Sequence, residues 1–387
     1  MSLPLRLDLS RLVWRARHAT PSGIDRVELA YARHFLTRPD AQFVVRAGAL
    51  GGRLLDPLRL EGFLNWLEAT WQVGGEGSLS RTATLLAASS AMPGGAALGL
   101  IPSHQNWHRP AWLERLKGKH GRLVLFLHDT IPVDHPEYAR AGGAARHAQR
   151  LDNALALADA LVVNSAATAQ ALQRFAAPRA IAARVQVAPL GTLKPVAPDP
   201  DFALPQRPYF VCLGTIEPRK NHLLLLHTWR AMAERHADAI PRLVIVGRRG
   251  WENEQILDLL ERNPAVHSHV IEHNALGDRA LASLLGGAAA LLMPSFAEGF
   301  GMPVGEALAQ GVPVIASDLP VFRETAGHIP EFLDPLDGPG WERTILAYAR
   351  PDSPERRSQL ERLKGWQAPD WPAHFALVDR MLGELSA

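Results

Sequence analysis

Pro294-Ser295-Phe296-Ala297-Glu298-Gly299-Phe300-Gly301-Met302-Pro303-Val304-Gly305-Glu306 sets two carboxylates, Glu298 and Glu306, on either side of a glycine-rich turn that opens into a helix. The apolar stretch Ala288 to Met293 before it reads as a buried strand, and Gly299 and Gly301 let the backbone turn sharply and approach a ligand closely. Pro303 stands where a first helical residue often does, and the helix is expected to stop at Gly311. Such a helix points unpaired N–H groups at the turn, where phosphate is the natural occupant. Carboxylates repel phosphate, so Glu298 and Glu306 must face neutral donors, and hydroxyl groups supply those. Glu298 suits the hydroxyls of a sugar ring, and Glu306 those of a ribose across a diphosphate. The plainer alternative is a helix-start glutamate balancing the dipole beside a surface glutamate.

Composition bounds the reading without deciding it. At 387 residues the chain is long enough for two domains, each with its own core. Hydrophobic residues make up 47% and charged residues 21%, and a formal charge of +2 gives no reason to expect nucleic acid as a partner. The single cysteine, Cys212, lies in the apolar run Tyr209 to Leu213, which excludes an intramolecular disulfide and points to a reducing compartment. The N-terminal stretch Met1 to Asp8 carries charges where a signal peptide needs an apolar run, and no later segment approaches a membrane-spanning length. A cytoplasmic protein is expected.

Short apolar runs alternate with helical patterns, as in parallel-sheet α/β domains; Leu123 to Leu127, Ala160 to Val163 and Leu243 to Val246 are the clearest strands. The proline-rich stretch Pro195 to Pro205 is the best connector. The expected organisation is a Rossmann-like domain over 1–198, a second over 199–365, and a terminal helical segment over 366–387. Ser89 to Gly99 reads as a loop, and residues 76–100 show no role.

Several side chains stand at expected carboxyl ends of strands, where open α/β sheets bind ligands. Arg219 and Lys220 follow the strand Tyr209 to Leu213; His128 and Asp129 follow Leu123 to Leu127. Asn164 and Ser165 follow Leu161 to Val163, where capping the next helix competes with reaching an acceptor. Gly23 opens the first helical pattern and would let the backbone come close to phosphate or acceptor. Asp199-Pro200-Asp201 resembles a manganese-binding Asp-x-Asp, but a strandless connector lacks the supporting shell a catalytic metal needs. Of 16 histidines none shows metal-ligand spacing on a helix; His104 and His108, bracketed by Pro102 and Pro110, read as a loop pair. No metal site is expected. Trp112 to His120 mixes apolar and basic residues, either as a membrane-surface helix or as an amphipathic helix packed on the sheet.

The carboxylate pair, together with Gly214-Thr215-Ile216-Glu217-Pro218-Arg219-Lys220-Asn221, Leu243 to Trp251, Val312 to Ser317 and Arg323 to Gly327 in that order, resembles the retaining GT-B glycosyltransferases of family 4 over roughly residues 205 to 330. Gly23 to Glu28 and His128-Asp129 are weaker upstream echoes. The resemblance implies an α/β GT-B fold, two Rossmann-like domains facing across a cleft, with a C-terminal helix crossing back to the first domain. It implies that Lys220 contacts a donor diphosphate with Arg219 beside it, and that His128 lies near the transferred sugar. Many relatives carry arginine where this chain has Thr215, so the second charge falls to Arg219 or Arg248. The implied donor site is Gly23, Thr215, Arg219, Lys220, Arg248, Glu298, Gly299, Phe300, Gly301, Met302, Pro303 and Glu306, with His128, Glu298 and Lys220 catalytic and Asp129 and Asn164 toward the acceptor.

The implied reaction is retaining, metal-independent transfer of a hexose, mannose favoured, from GDP-mannose or a UDP-sugar to a glycan or lipid-linked acceptor of bacterial surface polysaccharide. No further cofactor is implied, and peripheral contact with the inner face of the cytoplasmic membrane would follow from a lipid-linked acceptor. Ile271-Glu272-His273-Asn274 departs from the family pattern and leaves the base unread. A glycosidase would set its carboxylates across one glycosidic bond. A phosphorylase would be longer and need a pyridoxal-binding lysine, and a dehydrogenase would show Gly-x-Gly-x-x-Gly after a strand. A GT-B nucleotide-sugar epimerase and a non-catalytic scaffold are the remaining alternatives.

Overall fold

The computed structural model describes residues 3–178, 182–237 and 239–386. Met1 and Ser2, at the head of the N-terminal stretch read above, and Ala387, at the end of the terminal segment, lie outside them. The chain divides into two compact units, one of Met1–Gly191 with Asp370–Ala387, the other of Thr192–Pro369. The breaks therefore fall at 191/192 and 369/370 rather than at 198/199 and 365/366. The connector read as a boundary is instead anchored within the second unit: the Asp199 N–H donates to Arg279 O (3.2 Å) and Ser283 Oγ donates to Asp199 O (2.8 Å). Asp199 Oδ1 also accepts from the Asp201 N–H (3.1 Å), closing a local turn.

In the first unit the strands are β1 (Leu5–Asp8), β2 (Ala41–Arg46), β3 (Gly52–Leu54), β4 (Ser90–Ala91), β5 (Leu98–Ile101), β6 (Arg122–Leu127), β7 (Ala160–Val163) and β8 (Arg184–Val187), in the order β4-β3-β2-β1-β5-β6-β7-β8. All pairings are parallel except those of β3, so helical crossovers cover the sheet and strands such as β7 are buried along their length. The second unit carries β9 (Tyr209–Leu213), β10 (Arg242–Val246), β11 (Val270–His273), β12 (Leu291–Met293), β13 (Val314–Ser317) and β14 (Glu331–Leu333), all parallel, in the order β11-β10-β9-β12-β13-β14. Strand order reverses beside β9 in this sheet, which makes the carboxyl ends of β9 and β12 a topological switch point.

Two local expectations change. Ser89 to Gly99 is not all loop, because Ser90–Ala91 pairs with β3 and Leu98–Gly99 begins β5. The helix Pro110–Lys117 buries Trp112, Leu113 and Leu116 against the first unit's core. Its apolar face is therefore already covered, and the packed-helix reading holds over the membrane-surface one.

The terminal helix, Trp371–Ser386, belongs to the first unit. It inserts His374 between Tyr31 and the chain before the connector: the Tyr31 hydroxyl donates to Nε2 (2.9 Å), while Nδ1–H donates to Pro189 O (3.0 Å). Phe375 stacks between His34 (3.9 Å between ring centroids) and Trp371 (5.6 Å). Burial holds the His374 imidazole down at about 4, against 6.5 in the unfolded chain, although the bonded carbonyls oppose it. Between those values the unfolded state binds more protons, so stability is full above pH 6.5 and declines on acidification. A gap of that size corresponds to about 3 kcal/mol between pH 7 and pH 4. In urea titrations across that range, His374→Gln should flatten the pH dependence of the first unit's stability by that order.

Candidate active site

At the switch point of the second unit, two loops are stitched together. The loop after β9 runs through Gly214 to Asn221, and the loop after β12 through Pro294 to Gly301. The Phe296 N–H donates to Arg219 O (2.8 Å), and Asn221 Nδ2 donates to Pro294 O (3.1 Å) and Pro335 O (2.9 Å). Asn221 adopts φ 54°, a left-handed conformation that asparagine tolerates better than most residues, and so turns the chain into the helix His222–His236.

The stitching brings the charged residues into one knot. Lys220 Nζ lies 2.5 Å from Glu298 Oε1, Ser295 Oγ donates to the same oxygen at 2.7 Å, and Arg219 Nη1 donates to Oε2 at 2.8 Å. Arg219 Nε is 2.5 Å from Oε1 of Glu217, a carboxylate with 2% of its side chain exposed. Burial pushes the Glu298 carboxyl up, but Lys220 and Arg219 outweigh it and hold it at about 2. Glu217 is raised instead, because burial there exceeds the pull of Arg219 and Lys220. Glu298 is thus a fixed anion with two donors on Oε1 and one on Oε2, which leaves acceptor capacity on Oε2 for one more O–H. Gly214 makes room for this: at φ 147°, a Cβ there would lie 3.1 Å from Lys220 Cε.

The helix after the turn is Met302–Ala309, so Met302 is its first residue and Pro303 its second, one position later than expected. Its N-cap is Gly301 at φ 82°, with no side chain closing the terminus; Pro303 has no N–H and the Val304 N–H donates to Gly301 O (3.0 Å), so an anion there meets the Met302 N–H and the positive end of the helix dipole. Phe300 is buried, and its carbonyl accepts from Thr325 Oγ1 (3.4 Å). Glu298 and Glu306 sit on opposite sides of this terminus in sequence, Glu306 half-buried in the second helical turn. Thr215 and Arg248 belong to neighbouring loops joined where the Ile216 N–H donates to Arg248 O (2.9 Å). Cys212 is buried, its thiol pushed up to about 12, and serves the core.

In the first unit, His128 is the residue that follows β6. Its ring Nε2–H donates to Pro102 O (2.9 Å), which leaves Nδ1 as an acceptor, and burial keeps the imidazole neutral by lowering it to about 3. Its N–H donates to His104 Nε2 (2.9 Å) and its carbonyl accepts from Asn164 Nδ2 (2.9 Å). Asn164 is 2% exposed, and its Oδ1 accepts from Thr168 Oγ1 (3.0 Å). The structure therefore spends Asn164 on holding His128 rather than presenting it to an acceptor. Asp129 closes a turn onto the Ile131 N–H (3.2 Å), and its carbonyl is 3.1 Å from His147 Nε2.

Gly23 begins the helix Gly23–Phe35, whose start is closed by a capping box between Ser22 and Asp25. That start carries a buried carboxylate of its own and suits phosphate less than the Met302 start does. Asp25 and Glu28 share Arg11, and burial raises the Glu28 carboxyl to about 8. Sequence reasoning missed this cluster, as it missed Glu217, Ser295, Asn221 and His104 as site-building residues. Glu217 and Asn221 stood inside a motif already singled out, but their partners are up to 114 positions away in the chain.

Residues 200–329 match the family model described as Glycosyl transferases group 1. The fold is that of GT-B glycosyltransferases: sucrose-phosphate synthase from Thermosynechococcus elongatus superposes over 99% of both chains with a TM-score of 0.63 at 18% identity. Anabaena HepE in complex with UDP-glucose superposes with a TM-score of 0.64 at 13% identity, over 98% of this chain and 100% of that one. Among curated relatives, the serotype-specific mannosyltransferase WbdA of Escherichia coli is 29% identical over 225 residues, 53% of this chain and 27% of its own. The O-antigen chain mannosyltransferase B of Escherichia coli is 32% identical over 152 residues, 39% of each chain. The chain thus spans about a quarter of the first of these relatives and about two fifths of the second.

Proposed function

We propose that this protein is a retaining, metal-independent glycosyltransferase of family 4 that moves a hexose, mannose favoured, from a nucleotide diphosphate sugar to a glycan or lipid-linked acceptor in surface polysaccharide assembly. The observation that carries the reading is the knot of Glu298, Lys220, Arg219 and Ser295 beside an uncapped helix start, inside the segment that matches the family model. The mannosyltransferase relatives support mannose, and the UDP-glucose held by the HepE neighbour supports a nucleotide-sugar donor.

In this reading the helix start and Lys220 hold the diphosphate, with Arg219 or Arg248 supplying the second charge. Glu298 Oε2 accepts a sugar hydroxyl and Glu306 a ribose hydroxyl. The acceptor oxygen bonds to the anomeric carbon as the bond from that carbon to the diphosphate breaks on the same face. The acceptor proton passes to the departing phosphate oxygen, whose growing charge the cations and helix dipole stabilise. His128, neutral with Nδ1 as an acceptor, holds a hydroxyl rather than delivering a proton.

Calorimetric titration with UDP and GDP, each with EDTA and with magnesium, tests the donor site. One nucleotide should saturate, unaffected by EDTA, and Glu306→Ala should weaken it by at least tenfold, the worth of about 1.4 kcal/mol. Binding that requires magnesium would refute the metal-independent site. Consumption of donor without acceptor would favour the epimerase, and failure of both nucleotides to bind would favour a scaffold.

A further inference from the structure

β6 lies between β5 and β7, and its ladder ends before His128 on both sides, at Leu125 opposite Ile101 of β5 and at Leu127 opposite Val163 of β7. His128, one residue further, would carry an N–H and a carbonyl without strand partners in a buried place, each costing about 1–3 kcal/mol if left so. Two side chains stand in for the missing strands. His104, from the segment after β5, accepts from the His128 N–H, and Asn164, directly after β7, donates to its carbonyl. Pro102 O takes the ring Nε2–H at 2.9 Å. His128 is therefore fixed at backbone N, backbone O and ring by groups from both flanking strands, and its Nδ1 is the one ring atom left to accept.

We infer that His104 is a positioning residue for His128, acting through the single bond from the His128 N–H to its Nε2. The inference rests on the reading of His128 as a residue that meets the transferred sugar. Its chemistry is restrictive. An acceptor nitrogen cannot carry a proton, so His104 must be neutral with its hydrogen on Nδ1. The charged and titratable groups around it, His147, His128, Arg150 and Arg11, all disfavour a proton there, and burial does so more than any of them. His104 also packs against the rings of Trp107 (5.1 Å), His147 (5.0 Å) and His128 (5.3 Å), which fixes its plane.

Glutamine and asparagine separate the bond from the packing. The Gln carboxamide oxygen reaches the place of Nε2 and accepts without titrating, whereas that of Asn falls short at the place of Nδ1. Turnover is read as GDP release from GDP-mannose with methyl α-mannoside as acceptor. His104→Asn should lower kcat at least tenfold with the KM for donor within twofold, and His104→Gln should return kcat to within threefold of the parent. Adding His104→Asn to His128→Ala should cost nothing further, because the two act as one unit. Equal kcat for the Asn and Gln variants, with His128→Ala impaired, would overturn the inference and leave the His128 reading intact. Full activity of His128→Ala would remove both. A readout independent of the donor is amide hydrogen exchange followed in 15N spectra: the His128 backbone N–H should exchange slowly in the parent and in His104→Gln and rapidly in His104→Asn. Slow exchange in all three would likewise overturn it.

Discussion

Lys220→Ala should lower turnover by about 100-fold or more, the usual loss when one preorganised donor to a developing charge is removed. It should also destabilise the second unit by about 3–5 kcal/mol, because the lysine's partner is a buried carboxylate that would lose its closest counter-charge. Lys220 is 8% exposed and Glu298 keeps 6% of its side chain exposed, so water does little to replace the lost ammonium. Glu298→Gln keeps the shape and the bond from Ser295 but removes the charge that Lys220 and Arg219 face. Turnover should fall comparably, with a smaller loss of stability, since the two cations lie nearer solvent than the carboxylate does. Urea denaturation and steady-state rates on both variants check the asymmetry. A Lys220→Ala protein as stable as the parent would show that the ion pair contributes nothing to the fold. The pH dependence has a definite sign. With Glu298 near 2 when folded and 4.5 when unfolded, its stabilisation is complete above pH 4.5 and is lost as the pH falls toward 2.

Gly301→Ala is the second large effect expected. Gly301 caps the helix Met302–Ala309 at φ 82°, and a Cβ there would lie 2.3 Å from Cε1 of Phe322, which is fully buried. The left-handed backbone costs an alanine about 1–2 kcal/mol, and displacing a packed ring costs about 1–3 kcal/mol more. Because the strain falls on the cap, relief by moving the chain would re-aim the Met302 N–H. Nucleotide affinity should therefore drop at least tenfold alongside the loss of stability, measured by the same titration used for the parent. An alanine variant that binds as tightly as the parent would separate the helix start from phosphate binding.

Much of the frame was legible because it depends on near neighbours in sequence. The strands Tyr209 to Leu213 and Ala160 to Val163 agree with the structure to the residue, since apolar runs bounded by turn residues have few alternatives. The run Ala288 to Met293 reads as one strand, yet β12 is only Leu291–Met293; the alanines before it add two further bonds to β9, Ala289 N–H to Tyr209 O and Val211 N–H to Ala290 O. The helix Trp112 to His120 was ambiguous for a physical reason. An apolar stripe is the same whether it meets a sheet or a bilayer, and only the burial of Trp112, Leu113 and Leu116 distinguishes them.

The candidate site divides in the same way. That Glu298, Lys220 and Arg219 fall in one region at the carboxyl ends of strands follows from residue types placed after strands and at a helix start. Their mutual ion pairs do not, and neither does the conversion of Asn164 from an acceptor contact into a support for His128. The sequence by itself determined the α/β class, the two-unit division near the connector and the glycine turn with its carboxylates, because periodicity, turn chemistry and spacing are local. The tertiary structure alone decided which charges neutralise one another, which imidazole nitrogen accepts and which carboxyl is driven up or down. Those depend on distances between segments 24 to 114 residues apart and on how far water is excluded from between them.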